Sequence, residues 1–426
     1  MKIGLDFNDV TREIQSKLDV HTESEKYYKG VLKDAKPVEI KGKIRFAYSY
    51  TEYELNEDQY YFSSFSKVEI GKSVALCEED YLVIEGKRIN FCSFENCIFQ
   101  NIRFIRCDFV GCKFNEVKFE NTVFESCFFS RPYINNGKMN PNNIPYTPTF
   151  FTKCLFVSRF VDCDLGNNYF DRCSFTLSKF YNCDMNTMYM GMCVFSAVEI
   201  KDCILIGFKL FKSDILDICI TDDKCSQVNE DTVFDCRIYA KRPKEGTPVQ
   251  TESGWKKDNY DDMLLEKAKT LRRISSLYER NGYSAIAGEY FYQSKRTERK
   301  SLHGARKIIS TGSLILCGYG ERPLFTMVSM IVSILAFALA YMLTGFSTGN
   351  QDIFLNTVIE AWPNIIQIFK YYGHSVFFSV TTFSTVGYGN YVPIGEISSC
   401  LAAVQMIMGV SLSALWTGCI FRKIAR

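Results

Sequence analysis

Histidine is almost missing from this chain of 426 residues, which has only His21, His303 and His374. No phosphate-cradling glycine loop and no nucleophile elbow are present, so no constellation for acid–base or nucleophilic chemistry forms and an enzyme is not expected. Among 18 cysteines there is no Cys-x-x-Cys pair, which speaks against a zinc site and against thioredoxin-like exchange. An excess of one charge is lacking too: 50 basic residues face 48 acidic ones, a net +2. Nothing in that balance asks for nucleic acid or an acidic substrate. No apolar stretch follows Met1, so a cleavable signal peptide is not expected and a later segment must direct membrane insertion. No organic cofactor is implied.

Long apolar runs appear only late in the chain. Residues 324–343 are uncharged, and at about 1.5 Å per residue they reach about 30 Å, one hydrocarbon thickness. Residues 398–421 form a second uncharged run. Neither carries Arg at every third position, so a voltage-sensing helix is not expected. Arg296, Arg299, Lys300, Arg306 and Lys307 precede the first run, Arg422, Lys423 and Arg426 follow the second, and between them the only Lys or Arg is Lys370. The positive-inside rule then puts both termini in the cytoplasm and the intervening segment outside. The chain stops soon after the second run, so a carboxy-terminal nucleotide-binding ring is not expected.

Between the runs, residues 375–384 are rich in aromatic and hydroxyl side chains and too short to cross a bilayer. They lead into Thr385-Val386-Gly387-Tyr388-Gly389. A re-entrant helix followed by irregular backbone is tolerated at membrane depth only where protein or water surrounds it. Glycine stands at alternate positions, where φ > 0 lets successive carbonyls face one way. An earlier Gly318-Tyr319-Gly320 lacks that setting and reads as a turn into the first span, with Pro323 in the first helical turn.

In that setting residues 385–389 resemble the filter of the potassium-channel family, and several functional expectations come with the resemblance. The carbonyls of Thr385, Val386, Gly387 and Tyr388, with the Thr385 hydroxyl, would replace the water shell of a potassium ion. Gly389 would close the filter, and Phe377 and Phe378 match the aromatic pair that braces it from the pore helix. Two departures are evident: Asn390 replaces the usual Asp, and Thr381 stands where some members bury an acid. That brace would be neutral here, which keeps a weakly selective cation channel open as an alternative. Gly409 matches the hinge glycine of the inner helix, with a packing role equally open. Thr417, Ile420 and Phe421 are candidates for a constriction that closes by dewetting. One filter strand per chain implies a homotetramer. A membrane-anchored docking scaffold with a vestigial pore is a further alternative.

Upstream, Phe94, Phe99, Phe104, Phe109, Phe114, Phe119, Phe124 and Phe129 are spaced five apart. The pattern resumes at Phe151 and Phe156, slips by one residue to Phe160, and continues to Ile220. Cys92, Cys97, Cys107, Cys112, Cys127, Cys154, Cys163, Cys173, Cys183, Cys193 and Cys203 each stand two before a large residue of the series. This resembles the pentapeptide-repeat family, which implies a right-handed quadrilateral β-helix of about five coils, with the large residue and the small one before it both turned inward. The cysteines would then be packing residues, compact hydrophobes in a reducing cytoplasm. Some members mimic DNA with an acidic surface. From Lys87 to Ile220 this chain has 15 basic against 13 acidic residues, so a scaffold or docking surface fits better. The insertion at 131–148 reads as a surface loop, with partner binding as a lesser alternative.

The expected organisation is multidomain. Residues 1–86 form a cytoplasmic region of unclear fold, with an amphipathic helix near Ile14 and Leu18, strands in the aromatic stretch beyond, and His21 on the solvated surface. Residues 87–238 form the β-helix, 239–322 a linker rich in Lys, Arg, Pro and Gly followed by a juxtamembrane helical hairpin, and 323–426 an all-α pore domain with two spans. Gly288 to Tyr292 with the basic run after it, and 318–323, are similar to the juxtamembrane segment of bacterial proteins that fuse pentapeptide repeats to a two-span channel. That similarity implies a bacterial plasma membrane and gating through the repeats by an unidentified cytoplasmic ligand or protein; the basic run reads as solvated and topology-determining, with binding of anionic lipid headgroups as the lesser alternative.

Overall fold

The computed structural model describes residues 5–43, 50–133, 145–215, 217–221, 226–236, 260–360 and 364–424. They form two compact units, Met1–Ser301 and Leu302–Arg426. The linker composition before Ser253 and the tip of the 131–148 insertion lie outside the described residues.

In the first unit the period of five becomes a coil with four faces. The large residue of each pentad points inward, and the residue two after it turns the corner with positive φ, as at Asn96, Asn101, Arg106, Glu116, Asn121 and Ser126. Where glycine falls at that corner, as Gly111 and Gly207, the turn is free of Cβ strain. One face runs in parallel register through Glu39–Lys41, Ser64–Ser66, Ser93–Glu95, Lys113–Asn115, Phe150–Thr152, Tyr169–Asp171, Tyr189–Gly191, Lys209–Ile215 and Val233–Cys236. Nine rungs at about 4.8 Å span about 38 Å.

Identical neighbours are stacked by this register. Phe65, Phe94, Phe114, Phe151 and Phe170 lie ring on ring at 4.8, 4.9, 4.8 and 4.4 Å. The small inward residue donates to the carbonyl one coil earlier: Cys97 to Phe65 at 3.4 Å, Cys127 to Phe104 at 3.5 Å and Cys163 to Phe124 at 3.4 Å. Hydroxyls of Thr122, Ser158 and Ser178 do the same to Phe99, Phe119 and Phe156. A compact weak donor is what this position asks for, which is why Cys, Ser and Thr share it. Burial pushes the Cys97, Cys112, Cys154, Cys173 and Cys183 thiols up in pKa, leaving them inert. The one-residue slip is absorbed at a corner: Glu120 pairs with Val157 and Thr122 with Ser158, so Asn121 has no counterpart.

Three expectations need correction. The β-helix begins well before residue 87, because Ile40, Phe65, Ile70 and Ile84 already occupy its inward positions. An excursion with a short turn at Glu78–Asp80 separates Ile70 from Ile84 and hides the period. The coil is also longer than five turns for the same reason. The helical hairpin, α2 (Tyr260–Arg280) and α3 (Ser284–Ser301), is a lid on the last coil. Leu271, Ile274, Leu277, Ile286 and Ala287 join the β-helix core, Tyr278 donates to the Thr232 carbonyl, and the Phe234 amide donates to the Tyr290 hydroxyl at 2.9 Å. A stacked coil needs such a terminal cap over its last apolar rung.

The third correction is His21. Helix α1 (Phe7–Val31) is 25 residues long and lies against outward side chains of one face, with Val10 packed on Tyr189 and Phe211. His21 is 2% exposed, edge-on to Phe91 and Phe150, with Nε2 2.8 Å from the Gly111 carbonyl. Lys17 donates to the Asn167 and Thr187 carbonyls, and burial pushes its pKa down to about 8. The insertion stem pairs Arg131–Pro132 with Tyr146–Thr147 and sets Tyr133 against Tyr27 of α1.

Burial lowers the His21 pKa, opposed by the Gly111 bond and by Glu25. An undocked His21 takes up a proton near its ordinary 6.5, while the docked one resists. This contribution to docking is therefore full above that pH and is lost as pH falls toward the depressed docked value. Deuterium exchange along α1, corrected for intrinsic rates, should quicken between about pH 7.5 and about pH 5.5. In His21→Gln the pH dependence should flatten; unchanged protection of the unaltered protein over that range contradicts the account.

The second unit contains α4 (Gly304–Cys317), α5 (Pro323–Thr344), α6 (Leu355–Glu360), α7 (Ile365–Phe383) and α8 (Gly395–Ile424). Of these α5 and α8 are long and apolar enough to cross a membrane. Gly318, Tyr319 and Gly320 between α4 and α5 all have positive φ, at 53, 57 and 82°, so this stretch is a tight left-handed turn. Phe346–Ser347 pairs antiparallel with Asp352–Ile353 and with Val392–Pro393, tying the two ends of the outer segment together.

Candidate functional site

Helix α7 starts at Ile365, about ten residues before the aromatic and hydroxyl-rich segment that marked it in the sequence. Asn364 caps it, accepting from the Gln367 amide. Its carboxyl end organises the turn into residues 385–389. The carbonyl of Val380 accepts from Ser384 N at 2.9 Å, that of Thr382 from Thr385 N at 3.1 Å, and that of Thr381 from Val386 N at 3.1 Å and Gly387 N at 3.4 Å. The last carbonyls of α7 thus hold the amides of Ser384, Thr385, Val386 and Gly387 in place. Among the described residues, no hydrogen bond is donated to the carbonyls of Thr385, Val386, Gly387 or Tyr388.

The backbone here alternates. Thr385, Gly387 and Gly389 have φ of 56, 51 and 79°, while Val386 and Tyr388 do not take positive φ. For Gly387 and Gly389 this costs little. For β-branched Thr385 it is an outlier, maintained by the amide bonds on either side. Its hydroxyl donates to the Ser384 carbonyl at 2.7 Å. The run is exposed along its length, Val386 at 57% and Tyr388 at 67%.

The bracing residues divide. Phe377 stacks on Tyr388, 6.1 Å apart at 13°, and lies 5.0 Å from Tyr391. Phe378 faces the other way, buried against Tyr341 at 4.6 Å and Phe346 at 5.5 Å, so it anchors α7 to α5 and does not touch the filter rings. Thr381 is buried and its hydroxyl donates back to the Phe378 carbonyl at 2.9 Å. Among the described residues, no hydrogen bond reaches the Asn390 side chain. The structure therefore does not bring Thr381 and Asn390 together.

Gly409 sits where α8 crosses the end of α7. A Cβ there would fall on the Phe383 carbonyl oxygen and 2.9 Å from its carbon, and α8 continues through this point as one helix. Of its two sequence roles, close packing is the one with a visible cause. Thr417 donates to its own helix at Ser413, Phe421 is exposed, and Ile420 is half-buried. A groove of about 510 Å³ along the same helix is lined by Ser411, Ala414, Leu415, Gly418, Cys419, Arg422 and Gly320, and by none of these three.

Sequence reasoning missed the polar ties between the helices. Tyr341 of α5 donates to Gln405 Oε1 of α8 at 2.7 Å, and Gln405 Nε2 donates to the Ser379 hydroxyl of α7 at 2.6 Å. Ser379 donates in turn to the Ile334 carbonyl at 2.7 Å, and Ser375 one turn earlier to the Ala338 carbonyl. Three helices meet through one fully buried glutamine. A signal was there: Gln405 is a lone amide inside an uncharged span, where a polar group needs partners. His374 and Tyr391, 2.8 Å apart, and Glu321 and Arg422, 3.0 Å apart, carried no local signal.

With this geometry in view, comparison with known families gives the class. Residues 353–426 match the ion channel family, and residues 89–125 match the pentapeptide-repeat family. The chain is a membrane protein in which a pentapeptide-repeat β-helix is joined to a two-span ion-channel domain. Among solved structures the repeat region is similar to HetL, a pentapeptide-repeat protein involved in heterocyst differentiation regulation in the cyanobacterium Nostoc sp. strain PCC 7120. Identity is 11% over 41% of this chain and 70% of that one, with a TM-score of 0.27. It is also similar to QnrB1, a plasmid-mediated fluoroquinolone resistance protein, at 10% identity over 45% of this chain and 92% of that one, with a TM-score of 0.17. Likenesses this slight carry no functional argument. No curated protein matches the chain.

Gly409→Ala separates packing from hinging. The packing role predicts that the added methyl pushes α8 off Phe383, lowering thermal stability of the full-length protein in detergent by several degrees. A hinge role predicts unchanged melting with altered gating alone.

Proposed function

We propose that this protein is a potassium-selective channel. Four copies surround one pore in a bacterial plasma membrane, both termini are cytoplasmic, and the repeat domains control opening. The observation that carries the reading is the alternation of positive φ at Thr385, Gly387 and Gly389, with the intervening amides tied back to the end of α7. That backbone turns successive carbonyls to one side and leaves them without donors, which is how a filter replaces a cation's water. The carboxyl end of α7 adds its negative dipole at the inner end of the run. Thr385, Val386, Gly387 and Tyr388 would coordinate potassium, the permeant ion; Gly389, Asn390, Thr381, Phe377 and Phe378 would support them, the last at one remove. The reading includes no enzymatic step, no organic cofactor and no nucleic acid.

Thr417, Ile420 and Phe421, near the end of α8, are the gate candidates. Helix α4 exposes Ile308, Ile309 and Ile315 beside Arg306 and Lys307, a composition suited to the lipid interface. A ligand or protein acting on the repeats would move the chain entering α4, and the Glu321–Arg422 pair would carry that motion from the start of α5 to the end of α8. A weakly selective cation channel is favoured by one observation only, the missing Thr381–Asn390 contact.

Reconstituted protein under opposed potassium and sodium gradients should give a reversal potential that tracks potassium. A value near zero supports the weakly selective reading, and absence of flux supports a docking scaffold. Breaking the ion pair with Glu321→Arg should shift open probability by about five-fold or more. Adding Arg422→Glu should restore it, and no shift in the single variant removes the pair from the gating path.

A further inference from the structure

The outer end of the filter segment needs an anchor that the sequence does not advertise. Tyr388 and Gly389 are followed by Asn390, whose side chain receives no hydrogen bond among the described residues, and Thr381 spends its hydroxyl on its own helix. The next residue, Tyr391, is where the surrounding pieces converge. Its ring lies 5.0 Å from Phe377, 6.4 Å from Phe346 and 6.1 Å from the His374 imidazole, and its hydroxyl is 2.8 Å from His374 Nδ1. Val392–Pro393, just beyond, pairs with Phe346–Ser347.

We propose that the His374–Tyr391 hydrogen bond is the brace that keeps the outer filter from collapsing, in place of a carboxylate on the pore helix. The proposal rests on the reading of residues 385–388 as a potassium filter. His374 stands on α7 one turn before Phe377, so the two side chains share a face. Phe377 stacks on Tyr388 and also touches Tyr391. Fixing Tyr391 to His374 holds Tyr391 against Phe377, the ring on which Tyr388 stacks, so the bond reaches the filter tyrosine through Phe377. Either neutral tautomer serves: the Tyr391 hydroxyl donates to a bare Nδ1, or a protonated Nδ1 donates to the Tyr391 oxygen. The bond has no formal charge, so it is weaker than a carboxylate brace. A filter held this way depends more on resident potassium ions to stay open. His374 and Tyr391 are positioning residues; neither touches the ion.

The test uses the full-length protein in planar bilayers. After external potassium is withdrawn and returned, the fraction of current that recovers and the sodium leak during withdrawal are recorded. His374→Phe and Tyr391→Phe should each lose conduction at least about five-fold faster than the unaltered protein. The double variant should be no worse than either single one, because both remove the same bond. His374→Asn places an amide where Nδ1 stood and should recover most of the lost persistence, a rescue that loss of bulk packing would not give. Melting temperature in detergent should stay unchanged across the set. If the unaltered protein is selective and His374→Phe and Tyr391→Phe decay at its rate, or if their effects add, the brace is overturned while the filter reading stands. If the unaltered protein passes potassium and sodium alike, the filter reading falls and the brace falls with it.

Discussion

The carbonyl of Thr381 is the point on which the pore domain turns. At the end of a helix a backbone carbonyl has lost its intrahelical partner and must find another donor. Thr381 finds two, the amides of Val386 and Gly387. Drawing those amides inward turns the intervening backbone so that its own carbonyls are left over. An extended ribbon without donors on one side is costly unless something else satisfies those oxygens, and under the proposed function a dehydrated cation would do so. The chemistry of the site is thus a consequence of how one helix ends.

Everything around that point fixes the position of α7. Gln405 joins it to α8 and, through Tyr341, to α5; the missing side chain of Gly409 lets α8 reach the Phe383 backbone. In a medium that cannot hydrogen-bond, such polar groups must be satisfied within the protein, so the ties are directional as well as adhesive. These bonds fix the rotation of α7 about its axis, and with it the position of the carbonyls that hold residues 385–387.

The repeat domain solves a similar backbone problem by repetition. Most corners place a residue at positive φ, usually not glycine, and the strain is sustained because the residues on either side are locked into parallel ladders with stacked interiors. A single pentad could not hold that conformation. The cost per corner is small beside the stacking of Phe on Phe and the burial of a thiol or hydroxyl against the preceding carbonyl. Helices α2 and α3 complete the arrangement by covering the last rung, and α1 covers one outer face; both are parts of the domain more than connections away from it.

The amino-acid sequence by itself determined the repeat, the two spans and the alternating backbone of residues 385–389, because each is written in residues close together: a period of five, twenty uncharged residues in a row, glycine at alternate positions. It also held the reason for the cysteines, since a small inward position recurs with the same period. It did not reveal that the coil starts near Ile40, where an excursion breaks the period, nor that His21 is buried, since α1 shows nothing of the surface it will meet. Phe377 and Phe378 are adjacent and alike in sequence, yet a helix turns neighbours about 100° apart, so one reaches Tyr388 and the other reaches Tyr341 of α5. The joining of Gln405 to Ser379, of Glu321 to Arg422 and of His374 to Tyr391 was decided only by the tertiary structure, because a hydrogen bond between side chains depends on where two separate segments cross.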